Sequence, residues 1–284
     1  MSERETNQCC KTKGAIVETS FTFKVLFFYG FILMLLISSV VAFIQRCRIS
    51  AKRGEMFFFI EFKETYDEKG RLDLVPIDSD NEGTEDYERI YEAYGFCFGM
   101  FFLFIIFTMM SLSWERAAGY QLPTFIPFSL MLATGLWISP IFSLFILELN
   151  ENDVLKIFVL TIMGSFLSVS TGILLSGSIY MEILGLLLPL FFLPLLIYHL
   201  QSLLFWGIAI GTPWNVSPKV RKIMAWYGMV WFPLLLTYQG SLIIPLGLNE
   251  YEGSWANAIE VAMELFIRTV EIIFRMLEVL GSGA

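Results

Sequence analysis

Apolar residues in this chain come in runs of membrane length, separated by short polar breaks. A hydrocarbon core of about 30 Å needs about 20 apolar residues in a helix, and such runs stand at 21–44, 95–112, 123–149, 154–178, 181–210 and 223–248. A seventh stretch, 254–280, is as long but carries charge. The pattern predicts an all-α, polytopic transmembrane helix bundle of about seven spans. A polar segment, 1–20, precedes the first run, which is too long for the apolar region of a cleaved signal and is expected to act as its own insertion signal.

The break at 45–94 is the only part that resembles a soluble module. Met56 to Tyr66 and Arg71 to Ile77 are strand-like, and Asp67-Glu68-Lys69-Gly70 between them supplies turn residues, so a small cytoplasmic β-hairpin is expected in this first loop. Carboxylates crowd the residues that follow. Asp78, Asp80 and Glu82 alternate ahead of Gly83 as in the opening of a calcium loop, with Asp86 and Glu88 as further oxygen donors. The twelfth position, where a bidentate acid belongs, is Arg89. The stretch therefore reads first as a solvated acidic loop, with calcium the one ion whose ligand pattern is partly present, and no other cofactor is expected.

Within the apolar runs a few residues stand out. Gly95 and Gly99 form a GxxxG pair, and Gly164, Ser168, Gly172 and Ser176 recur every four residues as a ridge that lets a second helix come close. Pro127 and Pro140 predict kinks in the third span. Glu182 at the entrance of the fifth span and His199 in its later half are candidates for a proton relay. Pro233 in the sixth is followed by Thr237, Tyr238, Gln239 and Ser241, polar groups that at membrane depth must face protein or water.

The seventh stretch carries the chemistry. At about 100° per residue, Asn257, Glu260, Glu264, Arg268, Glu271, Arg275 and Glu278 fall within a wedge of roughly 80° on an otherwise apolar helix. Glu264–Arg268 and Glu271–Arg275 are four apart with the acid first, the favoured order for an ion pair on a helix. Such a helix has three readings: it lies on the membrane surface, it crosses as a sealed structural ladder, or it crosses with its stripe lining a hydrated path. Each charge at the bilayer centre costs about 2.5–3.5 kcal/mol against lipid, so an upright helix must turn the stripe inward or against a partner. The favoured expectation is a cation or proton channel or carrier whose path is lined by Glu260, Glu264, Arg268, Glu271 and Arg275. The alternative is a non-catalytic receptor or complex subunit whose last helix pairs with a partner.

Composition agrees with a membrane protein: 284 residues, 56% apolar and only 16% charged. The expected partners are the lipid bilayer and either a second copy of the chain or a partner's membrane helix. A net charge of -8 argues against nucleic acid. Arg46, Arg48, Lys52 and Arg53 after the first span place that end in the cytoplasm, which puts the amino terminus outside and the carboxy terminus inside. Cys9, Cys10, Cys47 and Cys97 show neither CxxC nor zinc spacing, and Cys47 stands where acylation would occur. No GxSxG, HExxH or phosphate-binding glycine loop is present, so an enzyme is not expected.

Seven spans, Phe232-Pro233 in the sixth, and an acid four residues before a base in the seventh resemble the layout of microbial rhodopsins. In that family the acid is usually Asp and the base is the lysine that bonds retinal. Arg268 stands at that position here and forms no Schiff base, and the family's aspartate motif in the third helix is missing. The resemblance therefore implies a seven-helix layout without retinal.

Overall fold

The computed structural model describes residues 3–58, 60–66, 72–76, 85–118, 124–149, 151–208, 218–248 and 255–281. Seven helices account for nearly all of them: α1 Glu3–Arg53, α2 Glu85–Ala118, α3 Phe125–Glu148, α4 Glu151–Leu174, α5 Ile179–Ile208, α6 Pro218–Leu248 and α7 Trp255–Gly281. The first six contain segments long and apolar enough to cross a membrane, at Ser20–Arg53, Tyr94–Ser111, Phe125–Leu147, Asp153–Leu174, Ile179–Leu196 and Lys222–Gly247. The protein is a multi-pass membrane protein. Six spans, rather than about seven, follow from composition alone, because α7 carries too much charge to count among them.

By contact the chain falls into two compact units, Phe27–Val159 and Met1–Leu26 with Leu160–Ala284. In the first, α3 is held by aromatic contacts on both sides. Phe28 of α1 meets Phe128, and Ser143 Oγ donates to Val40 O across 3.4 Å. Tyr94, Phe96 and Phe104 of α2 pack on Phe145 and Trp137. Pro140 lies inside α3, whereas Pro127 sits in its first turn, where no intrahelical bond is lost, so the second expected kink has no cause.

The first loop departs from expectation in its strand boundaries. β1 is only Phe62–Tyr66, paired antiparallel with β2 Leu72–Pro76, and the expected turn at 67–70 lies outside the described residues. Met56 to Phe58, Ile60 and Glu61 lie outside the strand: Phe57 bridges Ile60, and Phe58 has a φ of +53°. Five apolar residues in a row would give a strand no polar face to turn to water. Phe57 and Phe58 instead pack on Phe43 of α1, with ring centroids 5.1 and 5.4 Å away. The end of the acidic stretch is helix rather than loop, since α2 begins at Glu85 and so includes Asp86 and Glu88.

Candidate functional site

In the second unit α6 is the hub, and its three faces follow from helical spacing. Gly240, Thr237 and Ser241 point one way, to α4. Any side chain at Gly240 would run into the Val169 carbonyl, and any side chain at Gly172 into that of Thr237. Ser176 Oγ donates to Ser241 O at 2.7 Å across the same crossing. The expected small-residue ridge is thus used at Gly172 and Ser176, while Gly164 has open space beside it. The GxxxG pair at Gly95 and Gly99 also meets nothing within 4 Å among the described residues.

A second face meets α5. Tyr227 Oη donates to Phe191 O at 2.6 Å, Trp231 Nε1 points to Leu188 O at 3.4 Å, and the Tyr238 ring lies against Gly185. The third face is Gly228, Phe232, Leu235 and Gln239, four positions within about 60° of one another. It faces α7. A Cβ at Gly228 would stand 3.0 Å from Cγ and 3.2 Å from Cδ of Arg275, so the bare backbone there is what lets the arginine stem lie flat on α6.

Helix α7 has its apolar arc packed into the protein: Ala258, Ile259, Ala262, Met263, Phe266, Val270, Ile273 and Leu277 are among its buried residues. It runs antiparallel to α6. Its start lies at the start of the α1 span, where Lys24 Nζ sits 4.9 Å from the centre of the Trp255 ring, and Gly247 at the end of α6 abuts Phe21 of that same turn. Twenty residues later Arg275 reaches Gly228. At 1.5 Å per residue that is about 30 Å of helix, the thickness of a hydrocarbon core, alongside a helix able to cross one.

The ionisable wedge lies among the residues of α7 that are not buried. Glu264 is exposed, Glu260, Arg268, Glu271, Arg275 and Glu278 are half-buried, and the Arg275 side chain is 11% exposed. The pairs differ from the expected ones. Arg268 Nη1 donates to Glu271 Oε2 at 3.0 Å, and Arg275 Nη1 to Glu278 Oε2 at 2.6 Å, each arginine reaching forward three residues. For Arg275 the stem that carries this pair lies on Gly228.

Within the polar set after Pro233, two hydroxyls bond back to their own helix. Thr237 Oγ1 donates to Pro233 O and Ser241 Oγ to Tyr238 O. Gln239 Oε1 is buried and accepts no hydrogen bond. An unmet acceptor costs about 1–3 kcal/mol, so it is a position that calls for a donor.

The remaining candidates are not brought together. Glu182 is exposed in the first turn of α5, and His199 lies about 25 Å further along the same helix, with its side chain outside the described residues. Asp78, Asp80 and Glu82 also lie outside them, and Asp86 and Glu88 are in the first turn of α2. Among the described residues no three His, Cys, Asp or Glu side chains group as metal ligands. Cys47 is fully buried, which removes the exposed thiol that acylation needs, and Cys97 is buried too.

No known family, characterised protein or solved structure matches this chain. What it does has to be argued from α6 and α7 themselves. Sequence reasoning found the stripe from its period, but missed Gly228 and the role of Gln239. Helix α6 is apolar nearly all round, so no period marks which face meets which neighbour.

Proposed function

We propose that this protein is a non-enzymatic membrane transporter, a channel or carrier for protons or small cations, whose path runs along the charged stripe of α7. The observation that carries this reading is the placement of α7. The helix lies along α6 for about 30 Å with its apolar arc packed, and its ionisable residues stand half-buried to exposed along that length. Against acyl chains, Glu264, Arg268 and Glu271 together would cost roughly 8–10 kcal/mol, which a stripe in contact with water avoids. Four acids against two bases bias such a path toward cations. An upright α7 also puts the two termini on opposite sides, the amino terminus outside and the carboxy terminus in the cytoplasm by the basic cluster after α1.

The test is flux. Purified protein in liposomes should pass protons or a monovalent cation well above protein-free vesicles, and E264Q with E271Q should lower that flux at least tenfold. Background flux from the native protein, together with a membrane partner that is lost on the same double substitution, would overturn transport and leave the receptor or complex-subunit reading.

A further inference from the structure

The contact between Gly228 and Arg275 sets the register of the two antiparallel helices. Eleven residues are three turns to within about 20°, so a step of eleven keeps each helix on the same face. Eleven residues forward from Gly228 is Gln239, and eleven back from Arg275 is Glu264. The face of α6 between them offers Phe232 and Leu235, so Gln239 is the polar residue that this face brings to the stripe. Its amide oxygen is buried without a donor, while Glu264 is the exposed acid of the stripe.

Resting on the transport reading for its purpose, we infer that Gln239 and Glu264 form a proton-binding pair at mid-membrane. The Glu264 carboxylate takes a proton from water, and the O–H of the neutral acid donates to Gln239 Oε1. Release breaks that hydrogen bond and returns the proton to water, and no other bond changes. A proton fits this pair better than a divalent ion: calcium takes six to eight oxygens and magnesium a full octahedron, which one amide and one carboxylate do not provide. Among the described residues, the other charged groups along the stripe next to Glu264 are Glu260, Arg268 and Glu271 of α7. Helix α6 brings none on this face, and Lys24 of α1 stands two turns or more away over Trp255.

Gln239 acts on the neutral acid, so removing its oxygen disfavours protonation and lowers the pH at which Glu264 loses its proton. The measurement is the infrared carbonyl band of protonated Glu264 in reconstituted protein across pH, identified by its absence in E264Q. Q239M keeps the length of the side chain without the acceptor. It should move the midpoint down by about one pH unit and shift the band to the frequency of a free carboxyl, and Q239N should restore part of both. An unmoved midpoint and band in Q239M would overturn the pair, even if the native protein carries flux. A shifted midpoint in a protein without flux would keep the pair and end the transport reading.

Discussion

At the scale of single residues, glycine decides where helices meet. Gly172 and Gly240 are buried where α4 crosses α6, and each faces a carbonyl of the other helix too closely for a β-carbon. G240V is therefore expected to cost about 2–3 kcal/mol, read as a lower thermal midpoint in detergent. G164A, beside open space on the same ridge, should stay within about 0.5 kcal/mol of the native protein. The sequence spacing announced the ridge as a whole. It did not tell the used half from the unused, because that depends on which turn of α4 the other helix crosses.

At the scale of elements, α7 was legible and α6 was not. A narrow polar wedge on an apolar helix has a strong period, and both the wedge and the packed arc stand where that period puts them. The pairing within the wedge was not legible. The favoured acid-first order gave way where Arg275 is laid on Gly228. In the first loop an unalternated run, Met56 to Ile60, carried no strand phase, and its rings went to Phe43 instead. The α6–α7 contact makes its own prediction. G228L should destabilise the protein by about 1–3 kcal/mol by displacing the Arg275 stem, and R275A should relieve part of that cost. A thermal double-mutant cycle checks it; strict additivity would mean that the two residues do not touch.

At the scale of the molecule, hydropathy marks six helices long and apolar enough to cross a membrane and leaves α7 outside that set. With α7 upright, tags at the two termini should be accessible from opposite sides of sealed vesicles. Accessibility from the same side would mean six crossings. The most direct measurement of the account's centre is a cysteine scan along α7. It starts from a chain with Cys9, Cys10, Cys47 and Cys97 replaced and uses a membrane-impermeant thiol reagent in native membranes. Single cysteines at 260, 264, 268 and 271 should react, while those at 259, 263, 266 and 270 stay protected. Protection at every position, or reaction on the packed arc instead of the stripe, would contradict a hydrated path along this helix.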